Sequence, residues 1–283
     1  MERIAVGVDG SRPSERALRW AVREAELHGA TLDLLHAYVI HPYAGLFGGA
    51  DRDIARTRLT SVATRNQELL SSVKWTTTLV DAAGTTAAAL LDATRGADLL
   101  VVGSRGAGGF SRLTLGSTAY RLAAHSPAPV AVIAGDEPAD DGARHLVVGV
   151  DDAPASRRAL RWALGEAERR STGVTVIHSY LLPVEMAPSA ALNVRLYERA
   201  LTQAREDAVA LVDRVVEAAQ IPAGVKVDKV IETGPPAGTL LDHAHDKLLV
   251  TGTTGQGSFS RAVFGSVSQQ VLHHSEHPVV VVP

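Results

Sequence analysis

Apolar residues fall along this chain in two alternating rhythms. "RIAVGVD" near the start is a short β-branched run of strand type, and Ala17, Leu18, Ala21, Val22 and Ala25 then recur at the spacing of one helical face. "ATLDLLHAY" predicts a second strand, Asp51 to Ser72 a helix, "KWTTTLVD" a third strand and "TAAALLDATRG" another helix. "ADLLVVGS" is apolar throughout, and "GSTAYRLAAHS" and "APVAVIAG" add a last helix and strand. Strands that alternate with helices and carry near-continuous apolar runs predict a mostly parallel sheet covered on both faces. Ser14, at the start of the first helical pattern, is expected to cap that helix.

The whole pattern occurs twice. "VGVDGSRPSERALRWAVREAE" begins at Val6 and "VGVDDAPASRRALRWALGEAE" at Val148; Trp20 and Trp162, and His36 and His178, share the same spacing of 142 positions. Gly103 and Gly252 are 149 apart, so the second copy carries a net insertion of seven residues. The polar, acidic stretch Ala134 to His145 separates two apolar strands and reads as the linker. The expected organisation is two domains, 1–137 and 144–283, each a doubly wound parallel α/β sheet of five strands in the Rossmann-like manner.

Composition narrows the function only by exclusion. The formal net charge of −3 makes no global field for nucleic acid or an anionic membrane, so an anion site must be built locally. There is no cysteine, no charged-then-apolar leader and no run of eighteen apolar residues, so a cytoplasmic protein is expected.

Ligands of doubly wound sheets sit beyond the carboxyl ends of the strands, commonly between the first and fourth. Gly7 and Asp9 end the first strand here, as Gly149 and Asp151 do in the second copy. The fourth strand runs into "GSRGAGGFSRLTLGS": Gly103, two residues, Gly106, nine residues, then Gly116 and Ser117. Gly252, Gly255, Gly265 and Ser266 repeat that spacing, although the sequence between them differs at many positions.

Glycines can take positive φ and let a backbone approach an anion, turning N–H groups toward it. The candidate binding residues of the loops are therefore Ser104, Arg105, Gly106, Gly108, Gly109 and Arg112, and Thr253, Thr254, Gly255, Gly257, Ser258 and Arg261. Ser117-Thr118 and Ser266-Val267 each open a helix whose positive end suits a phosphate. The loop is no P-loop, since no Lys follows the last glycine, and Ser111 spoils a dinucleotide fingerprint. His36 and His178 read as packed histidines, and His273, His274 and His277 lack the partners for a zinc site, so no metal-ligand set is assigned.

Taken together, "VGVDGS", "LLHAY", the G-x2-G-x9-G-S loop and "SPAPVAVI" resemble the universal stress protein family in its tandem, ATP-binding form. The resemblance implies an adenine nucleotide alpha hydrolase-like fold, with Asp9 and Asp151 on the adenine or ribose side. It also implies adenine against the backbone of Ala37 and Ser179, triphosphate in the loops, and magnesium with the ATP. A homodimer, a regulatory protein partner, and a stress or dormancy role with little turnover follow from the same resemblance. Asp152-Ala153 stand where the first copy has Gly10-Ser11, and Thr254 where it has Arg105, so the second site is expected to be weaker. The competing expectations are a slow ATPase or nucleotide-dependent transferase, and a scaffold with vestigial sites.

Overall fold

The computed structural model describes residues 1–39, 48–106, 114–135, 145–181, 194–254 and 264–283. By its contacts the chain divides into two compact units, Met1–Ala143 with Leu272–Val281 and Pro283, and Arg144–Val271 with Val282. No helix among the described residues is long and apolar enough to cross a membrane.

In the first unit the elements run β1 (Arg3–Gly7), α1 (Arg12–His28), β2 (Thr31–Val39), α2 (Gly48–Arg65), α3 (Gln67–Leu70), β3 (Trp75–Ala82), α4 (Thr86–Ala93), β4 (Leu99–Gly103), α5 (Ser117–His125) and β5 (Val130–Ile133). The strands lie in the order β3-β2-β1-β4-β5, all parallel. The second unit repeats the plan with β6 (Leu146–Gly149), α6 (Pro154–Arg169), β7 (Val174–Tyr180), α7 (Val194–Glu217), β8 (Val227–Thr233), α8 (Pro236–Asp242), β9 (Leu248–Gly252) and α9 (Ser266–His274). Its parallel order is β8-β7-β6-β9. The last strand, β10 (Val279–Val282), falls mostly within the first unit and pairs antiparallel with β5, Val279 opposite Val132. The doubly wound α/β architecture is thus as the periodicity predicts, with one antiparallel pairing added to a mostly parallel sheet.

Burial explains the strand composition. Ile4, Ala5 and Val6 of β1 and Leu99, Leu100 and Val101 of β4 are all fully buried, because helices cover both faces. Ala17, Leu18, Ala21, Val22 and Ala25 of α1 supply part of that cover, and burying Leu18 alone contributes about 1.5–3 kcal/mol. Gly29 ends the helix in the left-handed region, at φ 61°, where its N–H reaches back to the last-turn carbonyls. Asp33 on β2, 6% exposed, ties its strand to both neighbours: it pairs with Arg3 at 2.8 Å and accepts hydrogen bonds from Thr76 at 3.1 Å and Thr78 at 3.0 Å.

Two local expectations need correction. Ser14 does not cap α1; Ser11 does, accepting from the Ser14 amide, while Ser14 lies buried within the first turn. The helix expected over Asp51 to Ser72 breaks at Asn66, whose side-chain amide donates to Val62 O at 2.8 Å and competes with the helical ladder.

The junction of β4 with α1 positions the site. A Cβ at Gly103 would stand 2.7 Å from the backbone carbon and oxygen of Pro13, so the first turn of α1 rests directly on the strand end. Gly252 repeats this against Ala155, again at 2.7 Å. Gly103→Ala and Gly252→Ala are each expected to cost about 1–3 kcal/mol by overpacking, seen as a lower urea midpoint.

A second test concerns acid stability. Asp98, in the turn before β4, accepts hydrogen bonds from the amides of Glu2 at 2.5 Å and Arg3 at 3.0 Å, and these bonds, the Glu2 one foremost, hold its carboxyl below the usual range. Its stabilisation is therefore complete above the unfolded pKa of about 3.9 and lost as pH falls through the lower folded value. Asp98→Ala should flatten that part of the acid limb when urea midpoints are followed from pH 6 down to about pH 2.

Candidate functional site

Beyond the carboxyl ends of β1, β2 and β4 the first unit holds a cavity of about 690 Å³. That lies inside the roughly 300–1,000 Å³ usual for small-molecule sites. Gly7 to Asp9, Leu35 to Val39, Gly103 to Gly106 and Gly116 to Ala119 form its floor and rim, and α2 adds Asp51, Ile54, Ala55 and Arg58 as a wall.

Asp9 is set by a short turn. Its Oδ1 accepts from the Ser11 amide at 2.9 Å and the Ser11 hydroxyl at 2.5 Å, while Gly10, at φ +80°, bends the chain between them. Ser14 braces the same turn, its Oγ accepting from the Asp9 amide at 3.3 Å and donating to Ser11 O at 2.9 Å. The other carboxylate oxygen faces the glycine loop: a Cβ at Gly106 would lie 2.7 Å from Asp9 Oδ2. Asp9 thus does both tasks that its residue type suggests, ordering a turn and presenting a carboxylate to the cavity.

The loop is pinned at its base, since the Gly116 amide donates to Ser104 O at 2.7 Å. Gly265 does the same to Thr253 O, also at 2.7 Å. Positive φ is not the reason for these glycines: Gly103, Gly106, Gly116 and Gly252 all lie outside the left-handed region. At Gly103, Gly106 and Gly252 the reason is close approach, to Pro13, Asp9 and Ala155 respectively, whereas a Cβ at Gly116 would meet Ser104 O at an ordinary 3.4 Å.

Gly116 also begins α5 with no side-chain cap, unlike α1 and α4, which are capped by Ser11 and Thr85. The first amides of α5, from Ser117, Thr118 and Ala119, therefore meet the cavity as donors available to an anion. Arg58 and Arg105 bring two guanidinium-bearing side chains to the same lining. Tyr38 completes the rim; the Asp81 carboxylate, as its hydrogen-bond partner, pushes the phenol up, so the hydroxyl stays protonated at neutral pH. His36 is 5% exposed with Nδ1 2.6 Å from Val8 O, which assigns the proton to Nδ1 and makes it the packed histidine expected.

The second unit builds the same frame around a smaller cavity of about 210 Å³. Asp151 Oδ1 accepts from the Ala153 amide at 3.0 Å, and His178 Nδ1 lies 2.8 Å from Val150 O. Its lining includes Gly149, Asp151, Ser179, Gly252, Thr254, Gly265, Ser266 and Val267. Thr253 is not part of it; its amide donates to Val282 O at 2.9 Å and its carbonyl holds Gly265. Asp152, expected to add negative charge near the ligand, is instead engaged by Arg157, with Arg214 3.8 Å away. These cations, the Arg157 hydrogen bond first, hold its carboxyl below the usual range.

The structure thus gathers Gly7, Asp9, Ala37, Gly103, Ser104, Arg105, Gly106, Gly116, Ser117 and Thr118 around one cavity. Gly108, Gly109, Arg112, Gly255, Gly257, Ser258 and Arg261 lie outside the described residues. Sequence reasoning missed Tyr38, Asp51, Ile54 and Arg58, although Ile54 and Arg58 sit one helical turn apart, and it missed Thr251 of β9. The polar residue that interrupts "LLVTG", where the first copy reads "LLVVG", was the available signal for Thr251.

Comparison with known proteins bears on the whole chain. The Universal stress protein family matches residues 1–134 and 142–283. A universal stress protein of Mycolicibacterium smegmatis is 32% identical over 291 residues, covering 99% of this chain and 96% of that one. One from Mycobacterium tuberculosis is 27% identical over 289 residues, covering 98% and 96%. The crystal structure of a universal stress protein from Archaeoglobus fulgidus shares the fold, with a TM-score of 0.71 at 19% identity over 99% of this chain and 97% of that one.

Ser11 carries both the α1 cap and one side of Asp9. Ser11→Ala is expected to cost about 1 kcal/mol of stability, read from the urea midpoint.

Proposed function

Starting from a chain that belongs to the universal stress protein family, we propose that it is an ATP-binding regulator of stress or dormancy that turns nucleotide over slowly if at all. The observation that carries this reading is the first cavity. Apolar side chains such as Val8, Leu35 and Ile54, the Asp9 carboxylate, two arginines and the uncapped start of α5 converge there around a volume of about 690 Å³.

Asp9 and the backbone at Ala37 would hold the nucleoside end, and Ser104 to Gly106 with Ser117 and Thr118 the phosphates. Arg58 and Arg105 supply the charge-assisted bonds that a triphosphate rewards. Magnesium favours carboxylate oxygen and phosphate ligands with retained waters, and Asp9 and Asp51 are lining carboxylates of that kind. The second copy is the weaker site, because its described lining has no arginine or lysine.

In this reading two domains, 1–137 and 144–283, work in the cytoplasm as a homodimer that signals to a regulatory protein partner rather than to nucleic acid or membrane. A slow ATPase or nucleotide-dependent transferase is the second reading, favoured by the two lining arginines, which could stabilise a transferred phosphoryl group.

Mass spectrometry of small molecules released from the purified protein is expected to find ATP or ADP, depleted in a Gly106→Ala/Gly255→Ala double variant. Saturation with Mg-ATP to about 100 times Kd should stabilise the fold by about 2.7 kcal/mol. Absence of both nucleotide and stabilisation would defeat the proposal, and turnover faster than about one per second would replace regulation by catalysis.

A further inference from the structure

The first unit's sheet is covered at one end and open at the other. β5 is paired with β10, whereas β3 stands last in the strand order, and among the described residues no strand lies beyond it. Lys74 O accepts from the Leu32 amide at 2.8 Å, which fixes the side that each backbone group takes. Even-numbered residues of β3 face β2, and Trp75, Thr77, Leu79 and Asp81 turn their N–H and C=O groups outward. Trp75 is 39% exposed, and Thr76 and Thr77 are exposed beside it.

Strand edges that stay single are blunted by charge, proline or a bulge. β8, the terminal strand of the second unit, carries Asp228, Lys229 and Glu232, with Lys229 paired to Asp213 at 2.5 Å and Glu232 to His243 at 3.0 Å. "WTTTLV" of β3 has no charge, proline or glycine, and its register with β2 runs without a bulge from Trp75 to Ala82. Its residue types are those that favour strands.

The segment is complementary to itself. Residues opposite one another in a sheet share a face, so a two-fold axis normal to an antiparallel pair must pass through a residue. With the axis at Thr77, the outward groups match: Thr77 meets its own copy and Trp75 meets Leu79, each a pair that exchanges both hydrogen bonds. Trp75 then gains an aliphatic neighbour, and Thr76 lies opposite Thr78, both stabilising cross-strand pairs. An axis at Thr76 or Thr78 instead opposes Trp75 to Thr77 or to the Asp81 carboxylate. The hydroxyls of Thr76 and Thr78 already donate to Asp33, at 3.1 and 3.0 Å, so little side-chain freedom is lost on pairing.

We propose that β3 is the dimer interface of this chain, pairing antiparallel with β3 of a second copy about a two-fold axis at Thr77. This rests on the homodimer reading above and supplies its surface. One strand edge is small beside the roughly 1,200–2,000 Å² of a standard interface, so the dimer is reversible and concentration-dependent. None of the residues from Trp75 to Leu79 lines the first cavity, so association and nucleotide binding separate experimentally.

Sedimentation velocity of the full chain over a concentration series should show monomer passing to dimer. Thr77→Lys and Thr77→Glu each set like charges at the axis and should raise the dimer Kd at least tenfold, with Tm and Mg-ATP affinity unchanged. An equimolar mixture of the two variants should recover the dimer through a Lys–Glu pair. The chain has no cysteine, so a spin label on Lys74→Cys is the sole label. Lys74 falls opposite Val80, which sets the two labelled backbone positions about 20 Å apart, a spacing that pulsed electron paramagnetic resonance reads.

A dimer that Thr77→Lys and Thr77→Glu leave intact, a mixture that stays monomeric, or a spacing displaced by about 7 Å or more would overturn the β3 pairing and leave a homodimer through another surface. A chain that stays monomeric at every concentration reached would overturn both. The expected dimer in a chain that binds no ATP would sink the nucleotide reading and leave this one standing.

Discussion

The absence of a side chain at the end of the fourth strand of each copy is the constraint on which the site depends. Pro13 can rest on β4, and Ala155 on β9, only because Gly103 and Gly252 leave no Cβ between them. That contact sets the height of α1 above the sheet, and with it the turn holding Asp9. Asp9 then meets Gly106, the next glycine of the loop, at a distance where a Cβ would stand 2.7 Å from its Oδ2 and displace the carboxylate. The Ser104–Gly116 hydrogen bond closes the loop base and delivers the uncapped start of α5 to the same space. Gly103 and Gly106 thus act as spacers, one against the Pro13 backbone and one against the Asp9 carboxylate, and the candidate site is the space that this arrangement leaves.

Duplication preserved this frame and changed what lines it. Each copy keeps an Asx-type turn at the end of its first strand, a histidine on the carbonyl just before that turn, and a 2.7 Å bond across the loop base. Arg105 has given way to Thr254, Val102 to Thr251, Ala119 to Ser268 and Ala37 to Ser179, so at these four positions the described second lining exchanges a cation and three apolar side chains for hydroxyls. An unmet buried hydroxyl costs about 1–3 kcal/mol, which the frame tolerates at one position. Asp152 shows the opposite outcome: a charge introduced at the turn is absorbed by Arg157 and Arg214, leaving little net field for a ligand.

The fold was legible because its signals are periodic. A strand buried on both faces must be apolar at every position, as in "LLVVG" of β4, and a helix on a sheet must be apolar along one stripe, as in α1. The break at Asn66 and the capping role of Ser11 were not legible, because each turns on competition between near-equal local hydrogen bonds.

Residue type and spacing by themselves determined the duplication, the doubly wound α/β class, the strand ends that carry the candidate site and the glycine positions on which it rests. Tertiary structure alone decided why those positions are glycine, since the clashing atoms come from Pro13, Asp9 and Ala155, remote in sequence from the strand ends they touch. It also decided that α2 walls the first cavity with Arg58 and that Thr251 stands unpaired in the second. Local pattern records which face of an element is buried; which distant atoms meet that face, and whether a buried polar group finds a partner, depends on how the elements pack.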